Sequence, residues 1–193
     1  MRGYFGIGVE GISKAMNVGS LLRSAHAFRA SFMFTAAAVY SRAEGGKADT
    51  SDSEGHVPFY AFPDVASIVL PRGCTVVGVE LVDDAIELPS FRHPRQAAYV
   101  FGPERGSLSP AMVEKCEFLI RIPTQFSVNV GIAGAIVMYD RILNLGHYPN
   151  RPMRPGGPID PIPEHVFGGP VIRRKMEGFR QDPPATDQTT QKG

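Results

Sequence analysis

FLIRIPTQFSVNVGIAGAIVMYDRILNL, residues 118–145, is the stretch on which the fold turns. It opens as a short apolar strand, crosses a polar loop begun by Pro123, and continues as a long apolar helix. The loop brings Thr124, Gln125, Ser127 and Asn129 to the place where the helix starts. Unpaired backbone N–H groups and the positive end of the helix dipole lie there, so hydroxyl and amide groups beside them make a small-ligand site. Gly131, Ala133, Gly134 and Ala135 keep the first helical turns small, which lets another backbone or a cofactor come close. The same residues also describe an N-capped core helix after a buried strand. The segment alone leaves both readings open.

Outward from this stretch, apolar runs alternate with helical spacing. Tyr4–Val9 reads as a strand, and 16–28 as a helix with Val18, Leu21, Leu22, Ala25 and Phe28 on one side. Residues 32–40 form a continuous apolar run, as in a buried parallel strand. Residues 57–62 read as an edge strand because of Pro58, and 64–70 as a short helix capped by Asp64. Residues 75–81 and 97–101 are further buried strands, and 110–115 is a brief helix with proline in its first turn. Such alternation predicts an α/β fold, a mostly parallel sheet flanked by helices. Met33, Met112 and Met138 are expected in the core, and His93, flanked by Arg92, Pro94 and Arg95, on a solvated loop. Residues 41–55 are polar and glycine-rich, as in a mobile loop.

The chain has 193 residues, 43% hydrophobic and 20% charged, enough for one α/β domain. That domain is expected over residues 1–148. Residues 149–193 hold nine of the 17 prolines and read as a Pro/Gly-rich, partly disordered arm carrying the basic stretch Arg173-Arg174-Lys175. No apolar run is long enough for a membrane span, and the N-terminus does not read as a signal peptide. Two cysteines, Cys74 and Cys116, make no disulfide framework and fit a reducing cytoplasm. The histidines lack metal-ligand spacing, so no metal is expected. A net charge of +1 gives little support to a nucleic-acid partner and does not exclude one, since local patches matter more than the total.

Three segments, each just after an apolar strand, carry chemistry. In Asn17-Val-Gly-Ser-Leu-Leu-Arg23, asparagine suits an N-cap, Gly19 admits a close approach, and arginine suits a phosphate or anionic oxygen. An ordinary capped amphipathic helix with a solvated arginine fits the same residues. In Phe101-Gly-Pro-Glu-Arg-Gly106, a stiff Gly/Pro loop holds Glu104 at its tip, beyond the carboxyl end of a strand. A surface turn with a solvated Glu104–Arg105 pair is the alternative. The third segment is Ile122-Pro123 through Ser127-Val128-Asn129. None is a Walker loop or a strand-linked GxGxxG.

In this order the segments resemble the SPOUT superfamily, specifically its SpoU/TrmH branch of RNA ribose 2′-O-methyltransferases. N-x-G-x-x-x-R is met by Asn17, Gly19 and Arg23. FG-x-E-x-G is met by Phe101, Gly102, Glu104 and Gly106, and I-P…S-x-N-V by Ile122, Pro123, Ser127, Asn129 and Val130. The resemblance covers about residues 3–148. It implies a C-terminal deep trefoil knot, a homodimer, and S-adenosyl-L-methionine as cofactor, with its adenine near Leu81, Gly102, Ile122 and Val128. It implies catalytic roles for Arg23, Asn17, Glu104, Ser127 and Asn129, and an RNA partner, tRNA or rRNA. The chain begins directly at the catalytic domain, as short members do that often modify tRNA.

Two departures stand out: Arg29 where many members have glycine, and Val128 for the usual leucine. If the backbone at 29 needs positive φ, arginine there is strained. Two rival readings are a knotted RNA-binding module without transferase activity and a methyltransferase acting on a non-RNA substrate. The presence of all the expected polar residues argues against the first, and the near-neutral charge keeps the second open.

Overall fold

A computed structural model describes residues 3–39, 55–149, 151–152 and 155–157. The chain divides into two compact units, Met1–Tyr148 and Pro149–Gly193, and the fold described below is that of the first. The basic stretch 173–175, the tail beyond it and residues 41–54 of the polar loop lie outside the described residues.

The elements in chain order are β1 (Tyr4–Glu10), α1 (Ala15–Ala27), β2 (Phe32–Ala36), β3 (Phe59–Phe62), β4 (Thr75–Val79), β5 (Ile86–Glu87), β6 (Gln96–Phe101), α2 (Pro110–Lys115), β7 (Phe118–Arg121) and α3 (Val130–Leu145). The strands form one sheet in the order β3-β2-β1-β6-β4-β7-β5, and every pairing is parallel. The chain builds one wing outward from β1, crosses to β4 and the far edge at β5, and then sets β6 between β1 and β4 and β7 between β4 and β5. The sheet therefore has a switch point between β1 and β6, where a crevice opens above the carboxyl ends.

Both faces of the sheet are covered, which is why its strands are apolar without alternation. Phe5, Ile7, Val9, Tyr99 and Phe101 point into a core shared with Leu21 and Leu22 of α1 and Val137 and Met138 of α3. Phe32, Phe34, Ala98 and Val100 point the other way, against Leu108 and Met112. On that second face a methyl added at Gly6 or Gly8 would sit 2.2 Å from a ring carbon of Phe32 or Phe34, so glycine there makes room for two aromatic rings. Gly134 does the same between helices, since a methyl would meet a Leu21 methyl at 2.2 Å. Met33, Met112 and Met138 are buried as expected.

Three local expectations fail for identifiable reasons. Residues 64–70 form no helix. Asp64 Oδ1 does accept the Ser67 N–H at 2.7 Å, but Pro63 and Pro71 leave too short a stretch to repay nucleation. β2 ends at Ala36 because Ala37 turns to a φ of 50°. His93 is buried, not solvated, at 3% exposure. Burial pushes its pKa below the usual value although Asp140 pulls the other way. Its Nε2 meets Asp140 Oδ2 at 2.9 Å and its Nδ1 meets the Tyr99 hydroxyl at 2.6 Å. The Tyr99 oxygen in turn accepts from Arg141 at 3.1 Å. Burial raises the Tyr99 pKa to about 12, so its proton stays in place for His93.

Arg141 is 1% exposed, a buried cation in an otherwise apolar stretch of α3. It donates to the main-chain carbonyls of Pro94, Arg95 and Tyr4, and its guanidinium lies 5.1 Å from the Phe5 ring centre. The last helix is thereby fastened to the amino ends of β1 and β6, the edge of the sheet opposite the crevice. Arg141→Met would leave those carbonyls unpaired, and we expect it to lower unfolding free energy by about 3 kcal/mol in urea titration.

α1 ends in a paired-bond cap: the Ala30 N–H reaches the Ala25 carbonyl at 2.8 Å and the Arg29 N–H reaches that of His26 at 3.1 Å. This motif needs a left-handed residue at its penultimate position, and Arg29 adopts a φ of 62° there. The strain expected from the sequence is present. Arg29→Gly should raise stability by about 0.5–1 kcal/mol, read as a higher urea midpoint at unchanged m-value.

Candidate functional site

Loops leaving the carboxyl ends of β1, β6, β4 and β7, four strands adjacent in the sheet, enclose a cavity of about 370 Å³. That size and position suit a small ligand or cofactor. β4 contributes Val79, Glu80 and Leu81. The loop after β6 contributes Gly102, Pro103, Glu104 and Gly106. The loop after β7 contributes Ile122, Thr124, Ser127, Val128 and Asn129, and Lys14 and Asn17 close the side next to α1. The four residues expected at an adenine, Leu81, Gly102, Ile122 and Val128, thus all line the same cavity, from three separate loops. Aliphatic side chains set among main-chain and polar side-chain groups make a lining that an adenosyl group fits. Gly102 makes the wall thin: a methyl there would sit 3.1 Å from the Leu108 nitrogen.

A directed chain of hydrogen bonds joins the three sequence motifs. The Gly131 N–H donates to Asn129 Oδ1 at 2.9 Å. Asn129 Nδ2 donates to Asn17 Oδ1 at 2.9 Å, and Asn17 Nδ2 donates to Glu104 Oε1 at 2.8 Å. The ends fix the sense of the whole chain, because a backbone N–H only donates and an ionised carboxylate only accepts. Glu104 also accepts from the Ser13 N–H at 3.1 Å, the Ser13 hydroxyl at 3.0 Å and the Lys14 N–H at 3.1 Å. Partial burial opposes its ionisation, yet these donors together outweigh it and hold its pKa down to about 2.

Asn129 caps α3, so both readings of the opening stretch hold at once: it starts a core helix and lines a cavity. Asn17, by contrast, is not the cap of α1. The capping position is Lys14, which makes no side-chain cap bond. Asn17 is buried in the first turn, and the carboxylate of Glu104, brought from β6, accepts the N–H groups of Ser13 and Lys14 just ahead of the helix. Ser13 gave only a weak signal as a residue just before a helix.

Arg23 is exposed on α1 and is not part of the cavity wall. Ser127 lies on the wall. Two carboxylates went unnoticed in the sequence. Glu10 is 7% exposed and accepts the Ser109 N–H at 2.9 Å. Glu80 accepts the Leu108 N–H at 2.8 Å and the Leu81 N–H at 3.1 Å. Both close an identical Gly-Val-Glu at the end of a strand, residues 8–10 and 78–80, which is the signal that marks them. No group of three or more histidine, cysteine or acidic side chains among the described residues is arranged to hold a metal ion.

The Glu104 junction makes stability depend on pH. A carboxyl held near 2 against an ordinary 4.5 adds stability that is complete above about pH 4.5 and lost as pH falls toward 2. Glu104→Gln should flatten that part of the acid-unfolding curve and cost about 1–2 kcal/mol at neutral pH.

A curated mouse (Mus musculus) protein, tRNA (guanosine(18)-2'-O)-methyltransferase TARBP1, is 28% identical over 72 residues. Those residues are 36% of this chain and 5% of that protein. Among solved structures, the SpoU methyltransferase AviRb from Streptomyces viridochromogenes in complex with the cofactor AdoMet matches with a TM-score of 0.66 at 21% identity, covering 72% of this chain and 57% of that one. A structure described as giving insight into 2-OH methylation of C/U34 on tRNA matches with a TM-score of 0.65 at 18% identity, covering 75% of this chain and 92% of that one. The chain thus spans a small part of the curated relative and just over half of AviRb; the structural likenesses establish the α/β fold. The profile of the SpoU rRNA Methylase family matches residues 5–139, more than half of the sequence and all of the crevice, and the chain belongs to that family.

Proposed function

We propose that this protein transfers a methyl group from S-adenosyl-L-methionine to a ribose 2′-hydroxyl of tRNA or rRNA. The observation that carries the reading is that Leu81, Gly102, Ile122 and Val128 line the same cavity as Ser127 and Asn129. Membership of the SpoU family supports the reaction, and the AdoMet complex of AviRb supports the cofactor. Bound there, S-adenosylmethionine supplies a methyl group that is already activated. The protein's own task is alignment and the handling of one proton.

Val79, Phe101, Ile122 and Val128 supply the apolar part of the cavity lining. Ser127 and Asn129 shape the ribose side, and Glu104 with Asn17 holds three loops in register. A guanidinium offers only donors, so Arg23 is a poor candidate for the base. Its role is to fix a phosphate of the RNA and to stabilise charge developing on the 2′-oxygen.

The position of Arg23 outside the cavity wall supports its action across a homodimer. Met16, Ile132 and Tyr139 on α1 and α3 are 72%, 56% and 53% exposed and offer an apolar face for the second copy. A trefoil knot in this reading is supported by β7, which enters the sheet between β4 and β5, two strands laid down before it. The cytoplasm, where tRNA and rRNA are found, is the proposed location. Among the described residues no helix is long and apolar enough to cross a membrane.

Arg23→Ala should lower methyl transfer to RNA from labelled S-adenosylmethionine by about 100-fold or more. Calorimetric affinity for the cofactor should stay within about threefold of wild type, since the side chain lies off the cavity wall. Transfer at the wild-type rate would remove Arg23 from the mechanism. Mass spectrometry of nucleosides from cells lacking the gene tests the reaction itself: a 2′-O-methylnucleoside should disappear from tRNA or rRNA and return on complementation.

A further inference from the structure

We propose that Glu80 is a specificity-determining residue that reads the ribose hydroxyls of the bound nucleoside, an inference that rests on the cofactor reading above. Glu80 stands just past β4 on the cavity wall, next to Leu81 and across from Gly102. A methyl at Gly102 would come 3.4 Å from Glu80 Oε2, so Gly102 lies directly beside the carboxylate. A carboxylate has about four acceptor positions. Glu80 commits two of them, one to the Leu108 N–H and one to the Leu81 N–H. The remaining positions are open to donors from a ligand, since the side chain is only partly buried. Within a cavity that fits an adenosyl group, the donors of matching chemistry are the two hydroxyls of a ribose. Carboxylates beyond the carboxyl ends of parallel strands bind ribose hydroxyls in other nucleotide-binding sheets for the same reason.

The two bonds that Glu80 does make fix its orientation. Glu10 holds the adjacent Ser109 N–H at 2.9 Å, so the turn at Leu108–Ser109 is pinned from two strands at once. Glu10 does not line the cavity. The pair therefore separates two roles: both carboxylates brace the same turn, and Glu80 alone also faces the ligand.

The experiment measures calorimetric binding of S-adenosylhomocysteine and of its 2′-deoxy and 3′-deoxy analogues to the full-length protein. Wild type should prefer the intact ribose over at least one analogue by about tenfold or more, the strength of a charge-assisted hydrogen bond. Glu80→Ala should bring that preference close to unity, and Glu80→Gln, which keeps an acceptor for Leu108 but not the charge, should give an intermediate value. Glu10→Ala, which loosens the same turn, should keep the wild-type preference. A preference unchanged in Glu80→Gln or Glu80→Ala, or one lost equally in Glu10→Ala, overturns the proposal and leaves the cofactor reading intact. Wild-type protein that binds none of the three nucleosides overturns both.

Discussion

A carboxylate that meets four donors from a different part of the chain sets the geometry of this molecule. Glu104 arrives on a loop from β6 and takes up the N–H groups of Ser13 and Lys14, the Ser13 hydroxyl and the amide of Asn17. An anion at the start of α1 complements the dipole of that helix. Because Asn17 is bound in turn to Asn129, the N-terminus of α3 is fastened to the same point. Loops from β1, β6 and β7 would otherwise be separately mobile, and the cavity between them would have no fixed shape. The polar chain works cooperatively, since each amide is polarised by the group before it.

The opposite edge of the sheet carries a second directed chain. Arg141 donates to the Tyr99 oxygen, the Tyr99 hydroxyl donates to His93, and the His93 Nε2–H faces Asp140. α3 is therefore anchored at both ends by polar contacts and along its middle by Gly134 against Leu21. A helix held this way is a rigid wall for the cavity that its first turn lines. The small residues at its start divide between two tasks. Gly131 and Gly134 admit α1, with Ser20 and Leu21 close by, while Ala133 faces the cavity.

The three motifs were legible because each follows an apolar strand and consists of residues whose chemistry is local: a glycine that makes room, a proline that stiffens a loop, an amide at a helix start. Their roles were less legible. Asn17 looked like a cap and is a bridge, because its amide joins Asn129 to Glu104, which lies 87 residues away from Asn17 in the chain. Glu10 and Glu80 were passed over because a carboxylate after a strand looks solvated until the turn at 108–109 is brought against it. His93 looked solvated for a related reason. Its sequence neighbours Arg92 and Arg95 are exposed, and only Tyr99 and Asp140 explain its burial.

The sequence by itself determined the strand and helix succession, the parallel sheet and the three site segments, because periodicity and turn chemistry act over a few residues; the expectation of strain at Arg29 came from the family resemblance, and its φ of 62° bears that out. Tertiary structure alone decided the strand order with its switch point, the partners of Glu104, Glu10, Glu80 and Arg141, and the convergence of Leu81, Gly102, Ile122 and Val128 on one cavity. Those depend on hydrogen bonds and packing between residues far apart in the chain, and no local preference encodes which distant donor a carboxylate will meet.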